Sequence, residues 1–322
     1  MNNEFPLTDS PNPHIGRGKQ IVRAHPEIRE YFKPHAATGA WILGVVGLQI
    51  GVAALVSGLS WAWTLVAAYL VGAWASHALF VLIHDATHNM ISGKTVTDRV
   101  WGIICNIGQG FPSAMSFRTF HLLHHSHLDE YDYDGDLAYH WEARLVGRSP
   151  IRKMLWLVLF SIVEVVRPMR LKKELFNHWL VVNALVIIAT DAAIFLAFGA
   201  KGLAYVVLST FFGIGLHPAG ARWIAEHYTF KPGQETYSYY GPINKVSFNI
   251  GYHNEHHDLV RVPWVHLPKV RAIAPEFYEP LYSHPSYLGV LRWFLFDPTV
   301  DLYTRITRRR TPFDSERDVM AA

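Results

Sequence analysis

Cysteine and charge are both scarce in this chain. Of its 322 residues, Cys105 alone carries a thiol, which excludes an internal disulfide and a site built from several thiolates. Charged residues make up 17% of the chain and the net charge is +3, too small a charge to predict binding to nucleic acid. The polar segment 1–13 has no apolar run, so we expect no signal peptide there, and Asn2 replaces the glycine that N-myristoylation needs.

Apolar residues, in contrast, are abundant. Half of the chain is hydrophobic, the mean hydropathy is +0.11 and there are 11 tryptophans, a composition typical of a membrane enzyme. A helix that spans a bilayer needs about 20 apolar residues. Segments 39–59, 60–83 and 180–198 meet this requirement, and 203–216 is a shorter fourth candidate. These segments predict two hairpins with tight turns near Gly58 and near Gly199 to Gly202. The shorter apolar stretches 100–111 and 154–166 predict interfacial or half-inserted helices.

Basic residues predict the orientation of these spans. They collect before the first span, between the second and third spans, and in the C-terminal tail, whereas the turns within the hairpins hold Lys201 alone. The residues concerned are Arg17, Lys19, Arg23, Arg29, Lys33, Arg148, Arg152, Lys153, Arg170, Lys172, Lys173, Arg308, Arg309 and Arg310. By the positive-inside rule, both termini and the central loop are cytoplasmic.

The predicted fold is therefore an all-α integral membrane protein. Four transmembrane helices form two hairpins, and a cytoplasmic helical cap carries a histidine-rich site for two metals. We predict a cytoplasmic N-terminal segment (1–38), a membrane domain with the first two histidine clusters (39–216) and a cytoplasmic C-terminal part with the third (217–322).

Three histidine clusters carry most of the functional information. The clusters hold eight histidines: His84, His88, His121, His124, His125, His253, His256 and His257. Residues three or four apart share one face of a helix, so each cluster can direct its imidazoles to one point. Eight imidazoles are too many for one zinc ion, which takes about four ligands, and they suit two metals in a shared cage. Imidazole is compatible with iron, copper or zinc.

These clusters and their flanking residues resemble a known family. The spacing HX3H, HX2HH and HX2HH beside two membrane hairpins is similar to the membrane fatty-acid desaturase and hydroxylase superfamily. Segment 225–258, AEHYTFKPGQETYSYYGPINKVSFNIGYHNEHHD, resembles the sphingolipid Δ4-desaturases, also called dihydroceramide desaturases. The segments GKQIVRAHPEIREYFKP and SFRTFHLLHHSHL resemble the same family.

The resemblance implies a non-haem di-iron centre, with O2 as oxidant and electrons from an external carrier of the cytochrome b5 or ferredoxin type. The eight cluster histidines match the iron ligands. His227 matches a further histidine ligand that the wider superfamily has after its last span. The carboxylates that could orient these imidazoles are Asp85, Glu226, Glu255 and Asp258, each with the alternative of a solvent-facing charge.

The implied reaction introduces a trans double bond between C4 and C5 of a dihydroceramide- or sphinganine-type lipid. The site would lie at the cytoplasmic face of a bacterial inner membrane or of the endoplasmic reticulum. A sphingolipid C4-hydroxylase, or a general fatty-acyl desaturase or hydroxylase, is the alternative on the same scaffold. A metalloprotease is disfavoured because Asp85 stands where the zincin motif has glutamate. A metal transporter is disfavoured because the histidines cluster at one membrane face and do not lie along a path within the spans.

One acidic run near the second cluster lies outside the predicted site. Asp132, Asp134 and Asp136 alternate as in a calcium-binding loop, but the glycine and glutamate positions of that motif do not match. We therefore predict a solvated acidic loop.

Overall fold

Regular structure in the protein is almost entirely α-helical, as predicted. The computed structural model describes residues 4–172 and 176–309, so Lys173 and Arg310, used above for orientation, lie outside the described residues. The α-helices of the described part are α1 Pro13–Ala24, α2 Thr38–Ser57, α3 Trp61–Ala67, α4 Ala73–Thr87, α5 Thr95–Ile107, α6 Ala114–Ser126, α7 His140–Val146, α8 Pro150–Val158, α9 Phe160–Val166, α10 His178–Ile214, α11 Arg222–His227, α12 His253–Asp258, α13 Leu267–Ile273, α14 Pro275–Tyr278 and α15 Tyr287–Phe296. Short 3-10 helices lie at Pro26–Tyr31, Arg167–Arg170, Pro242–Lys245 and Trp264–His266.

The strands of the described part are all two residues long and form two parallel pairs. Strand β1 (Leu7–Thr8) pairs with β4 (Thr307–Arg308), with Leu7 opposite Thr307. Strand β2 (Ser238–Tyr239) pairs with β3 (Ser283–His284). The first pair joins the two ends of the chain and buries Arg308, whose guanidinium contacts Glu235. Arg308 is therefore not part of an exposed basic tail.

Three helices of the described residues are long and apolar enough to cross a bilayer. They are α2 with 20 residues, the continuous rod Trp61–Thr87 with 27, and α10 with 37. The rod consists of α3, a π-helical turn at Ala68–Gly72, and α4. The segments predicted as the third and fourth spans both lie largely in α10, on either side of Gly199, and the number of membrane crossings stays a prediction.

Helix α10 changes direction at Gly199. This residue has φ 69° and ψ −171°, a conformation open to glycine because it has no Cβ. Asp191 and Val206, which lie on opposite sides of the bend, come within 3.4 and 3.2 Å of the Cβ position of Gly110. Residues 15 positions apart in a straight helix would be about 22 Å apart. The two halves of α10 therefore fold back beside each other.

Some buried polar groups in the apolar helices form hydrogen bonds between helices. Gln49 of α2 is buried; its Nε2 donates to the Gly108 carbonyl at 3.0 Å, and its Oε1 accepts from Tyr205 at 2.7 Å. Near the bend, Lys201 Nζ donates to the Leu59 carbonyl, which places the bend of α10 next to the turn between α2 and α3. Because an unpaired polar group in hydrocarbon costs several kcal/mol, these bonds determine how the helices pack.

The histidine clusters lie at the end of the rod away from that turn. His84 is 25 residues beyond Leu59, a distance of about 38 Å along a helix. Helix α6 packs on α4 and α5 there, and α11 and α12 pack near the same end. The division into segments 1–38, 39–216 and 217–322 stays a prediction, although α1 from the first segment packs directly on α12 from the last.

Candidate metal site

Four helices bring the predicted histidines together. His84 lies in the last turn of α4 and His88 caps the C-terminal end of that helix. Helix α6 contributes His121, His124 and His125 from its last two turns. Helix α12 consists largely of the third cluster, and α11 ends at His227. The i, i+3 and i, i+4 spacings put the imidazoles of each helix on the side facing the others. All nine histidines therefore meet in one region of the described structure.

Five of these imidazoles form a first group. The group consists of His84, His88, His121, His125 and His256, and one ligand nitrogen from each lies within 4.8 Å of all the others. His121 Nε2 is 3.0 Å from His88 Nε2 and 3.0 Å from His125 Nε2. His256 Nε2 is also 3.0 Å from His125 Nε2. Such short contacts between ring nitrogens converge on a point where one ion could bind several of them.

The other four imidazoles form a second group. Ligand nitrogens of His124, His227 and His257 lie within 4.8 Å of one another, and His253 Nε2 is 3.0 Å from His227 Nε2. The ring centroids of His125 and His257 are 4.3 Å apart, so the two groups are neighbours. This arrangement matches the expectation of two metal positions in a shared cage. The role of each histidine as a ligand stays a prediction.

The pKa values of seven of the nine imidazoles suit metal binding. Burial lowers the pKa of His88 to about 3. Burial likewise lowers the pKa well below its ordinary value for six others: His121, His125, His227, His253, His256 and His257. Neutral imidazoles offer a free lone pair at neutral pH, which a metal ligand requires. The buried Nε2 atom of His257 has no hydrogen-bond partner among the described residues, so a cation would satisfy it. The donor set therefore fits two transition-metal ions.

Asp134 orients one imidazole of the second group. Its Oδ1 atom lies 2.9 Å from His124 Nδ1, and its carboxylate also accepts from the backbone N–H groups of Asp129 and Asp136. Burial by itself lowers the pKa of His124, but Asp134 and Asp136 outweigh it and raise that pKa to about 9. A carboxylate on Nδ1 leaves Nε2 directed at the metal and raises the basicity of the ligand.

The predicted solvated acidic loop is thus wrong at Asp134, which is 0% exposed. Arg305, from the far end of the chain, lies 3.7 Å from Asp134 and 3.2 Å from Asp129 and compensates the buried charges. The alternating run of aspartates gave no sign of this burial, because the arginine that permits it is remote in sequence.

Substituting Asp134 by asparagine should reduce activity and metal affinity by about 10- to 100-fold, the usual effect of removing an outer-shell carboxylate. Asp132→Asn is the matched control, because Asp132 is 47% exposed and pairs with the exposed Lys172 at the surface. Enzyme turnover and bound metal per chain measure the effect. Equal losses in both variants would show that Asp134 stabilises the structure of the loop and has no specific role at the metal site.

The four carboxylates nominated from the sequence have different partners. Glu226 Oε1 lies 3.5 Å from His253 Nδ1, and Arg222 binds both oxygens of Glu226 at 2.8 and 2.9 Å. Glu226 therefore contacts a candidate ligand, as expected for an orienting carboxylate.

The other three carboxylates bond elsewhere among the described residues. Asp85 accepts from the backbone N–H of Trp264 at 3.5 Å, and Glu255 accepts from Ser238 and Tyr240. Asp258 contacts His14 and Arg17 of α1. The side chains of all three are buried and none faces solvent. Neither the orienting role nor the solvent-facing charge predicted from the sequence therefore describes them.

Comparison with known proteins identifies relatives over most of the chain. The model of the fatty acid desaturase family matches residues 59–288. A sphingolipid delta(4)-desaturase DES1-like protein from Oryza sativa subsp. japonica is 38% identical over 315 residues, which cover 98% of this chain and 96% of the relative. The sphingolipid delta(4)-desaturase DES1 of Xenopus tropicalis is 38% identical, and the coverage is 95% and 94%. The human sphingolipid delta(4)-desaturase/C4-monooxygenase DES2 is 39% identical, also with 95% and 94% coverage.

The chain therefore belongs to the fatty acid desaturase family and is an oxidoreductase. The family resemblance recognised from the histidine spacing and its flanking residues is confirmed.

Proposed function

We propose that this protein is a sphingolipid Δ4-desaturase. It introduces a trans double bond between C4 and C5 of a dihydroceramide- or sphinganine-type lipid. The observation that carries the proposal is the double group of nine histidines, seven of them buried and two half-buried, in a chain that aligns over almost its full length with relatives named for this reaction.

Iron is the metal that we assign to both histidine groups. Two irons held by these imidazoles would supply the activation of O2 that oxidises the lipid. Breaking one C–H bond on each of two adjacent carbons releases two electrons and two protons. Reduction of O2 to two waters takes four of each, so an external protein of the cytochrome b5 or ferredoxin type provides two electrons, and solvent provides two protons.

The chain itself contributes position and exclusion of water. The histidines lie on four helices whose packing holds the imidazoles in place, and most of them are buried. Asp134 and Glu226 hold the Nδ1 sides of His124 and His253, so that the opposite nitrogens face the centre of the second group. Such preorganisation is the usual contribution of a protein to metal-dependent oxidation.

An apolar groove is suited to the hydrocarbon chain of the substrate. It has a volume of about 480 Å³ and runs between α2 and α4. Its walls include Trp41, Val45, Leu48, Trp74, Ala78 and Trp264. Trp264 also donates its backbone N–H to Asp85, the neighbour of His84, so the groove ends beside the first histidine group. A lipid entering from the bilayer could thus present a carbon near its polar head to the metals.

Product analysis tests the reaction and its position. The protein is expressed in a host that supplies dihydroceramide and a reductase but lacks its own Δ4-desaturase. We expect a trans double bond at C4 that stays there when the sphingoid chain is lengthened, because contacts with the polar head determine the register. Oxidation at a position fixed from the methyl end, or of phospholipid acyl chains alone, would replace the assignment with a general acyl desaturase.

Hydroxylation at C4 is the second candidate reaction. Relatives named as both delta(4)-desaturase and C4-monooxygenase, such as DES2 of Rattus norvegicus at 38% identity, match as well as those named as desaturases only. Both reactions begin with removal of one hydrogen and differ in the fate of the resulting radical. A predominance of 4-hydroxydihydroceramide in the same assay would favour this alternative.

We also propose a topology of four membrane crossings, with α10 crossing twice through its bend at Gly199. The turns at Gly58 and Gly199 then face away from the cytoplasm, and the histidine groups lie at the cytoplasmic surface. The positive-inside distribution supports this orientation. Exposed apolar residues on α8 and α9, including Ile151, Leu155 and Ile162, support contact of the cap with the bilayer surface.

Cysteine labelling tests this topology, because the native Cys105 is buried and should stay unreactive. A membrane-impermeant maleimide should label Gly58→Cys from the outside of intact cells or from the lumen of sealed vesicles. Lys94→Cys, at an exposed position, should be labelled from the cytoplasmic side alone. The reverse pattern would overturn the proposed orientation.

A further inference from the structure

Helix α1 lies outside the residues that match the family model, yet it packs against the third histidine cluster. It begins at Pro13, and the side chain of Asn12 caps its N-terminus by accepting from the His14 backbone N–H at 3.0 Å. Ile21 of α1 is fully buried in a cluster with Leu259 and Val262, which follow α12. The apolar contact therefore attaches α1 to the part of the chain that carries the third cluster.

Polar side chains of α1 bind the last residue of α12, Asp258. His14 Nδ1 lies 2.6 Å from Asp258 Oδ1, and Arg17 Nε donates to Asp258 Oδ2 at 2.7 Å. Both carboxylate oxygens thus bond to α1, and the Asp258 side chain is 0% exposed. Charge-assisted bonds of this kind are stronger than neutral ones.

Contacts from α1 also reach the first turn of α12. Arg17 Nη2 donates to Asn254 Oδ1 at 3.2 Å, and Thr236 donates to the same oxygen at 2.7 Å. His14 Nε2 lies 2.9 Å from the Thr236 hydroxyl. The side chains of His14 and Arg17 therefore connect both ends of α12 in one network.

The network lies directly behind the second histidine group. The ring centroids of His14 and His257 are 4.8 Å apart. Gly18 makes the close approach possible, because a Cβ there would lie 2.2 Å from the Asp258 carbonyl oxygen. Gly16, on the same helix, has nothing within 4 Å of its Cβ position.

Helix α12 depends on such external support. It has six residues, far below the length of about 12 to 15 at which an isolated helix becomes even marginally stable. Three of those residues, His253, His256 and His257, are candidate ligands. Their positions are thus determined by whatever holds the ends of the helix.

We propose that α1 is a structural part of the metal site, in which His14 and Arg17 act as positioning residues. They hold α12 so that His253 and His257 face His124 and His227 across the second group. Displacing α1 lowers the affinity of the second group for its ion most, because two of its four imidazoles lie on α12, whereas the first group has one of its five there. The inference rests on the proposed two-metal function.

Gly18→Ala tests the inference against Gly16→Ala, its matched control. Both substitutions add one methyl group to the same helix, but only the first forces α1 away from α12. Iron content and Fe²⁺ affinity are measured on the purified full-length protein, with thermal unfolding of the metal-free form. We expect two irons in the wild type and in Gly16→Ala. Gly18→Ala should bind its second iron about 10- to 100-fold more weakly, as for other changes that disturb the support of a metal ligand.

A second pair of variants avoids any folding defect caused by the added methyl group. His14→Ala should also weaken the second iron, and His14→Asn should restore part of the affinity, because its amide can donate to Asp258 near the place of Nδ1. Wild-type affinity for both irons in Gly18→Ala and His14→Ala would overturn the role of α1 while leaving the metal site intact. Absence of bound iron in the wild type itself would overturn both the proposed function and this inference.

Discussion

Replacing His256 by alanine is expected to abolish desaturation and to lower the bound iron. His256 Nε2 lies 3.0 Å from His125 Nε2, and its ring centroid is 4.2 Å from that of His84. The substitution removes one of the five donors of the first group and opens a space in a buried site. Removing a residue that hydrogen-bonds a metal ligand typically lowers metal affinity or activity by about 10- to 100-fold. Removing a ligand itself should therefore lower them by more than about 100-fold.

Product formation in the sphingolipid assay and iron per purified chain measure this effect. His178→Ala is the control, because that imidazole is exposed at the start of α10 and belongs to neither group. It should retain normal activity and both irons. A His256→Ala variant with near-normal turnover would rule out the first group as the catalytic metal position.

Replacing His227 by alanine is expected to remove the second iron and, with it, the activity. His227 Nε2 lies 3.0 Å from His253 Nε2, and its ring centroid is 4.7 Å from that of His124. The second group holds four imidazoles, so the variant retains three. We expect one iron per chain and a loss of turnover of more than about 100-fold, which exceeds the usual effect of removing a residue that only supports a ligand.

His284→Ala separates loss of a ligand from loss of a buried side chain. His284 is buried near α11 and contacts the Ala225 carbonyl at 3.0 Å, but it lies outside both histidine groups. Its removal should lower the melting temperature while both irons remain. If His227→Ala also keeps two irons, His227 is a structural histidine and the second group has three ligands.

The two predictions differ in how far the sequence alone supports them. His256 belongs to a cluster whose spacing indicates a metal site without any comparison, because i, i+3 and i, i+4 positions share a helix face. His227 is a single histidine in AEHY, and only the family resemblance drew attention to it. The structure brings it next to His253 because α11 ends opposite α12, a juxtaposition that no local pattern contains.

The partners of the supporting carboxylates were also not predictable from the sequence. Asp258 was considered because it is next to His257, yet it bonds to α1, more than 200 residues earlier. Asp134 was assigned to a solvated loop, yet it is buried against His124. Burial of a carboxylate depends on partners from remote segments, and Arg305 and Arg17 supply them here.

The sequence by itself determined the helical class, the apolar segments and the eight clustered histidines. These features follow from composition and from the period of the helix, and both are local properties of the chain. Only the tertiary structure decided how the histidines divide into groups of five and four and which carboxylates support them. These features depend on contacts between segments distant in the chain, which a linear pattern does not specify.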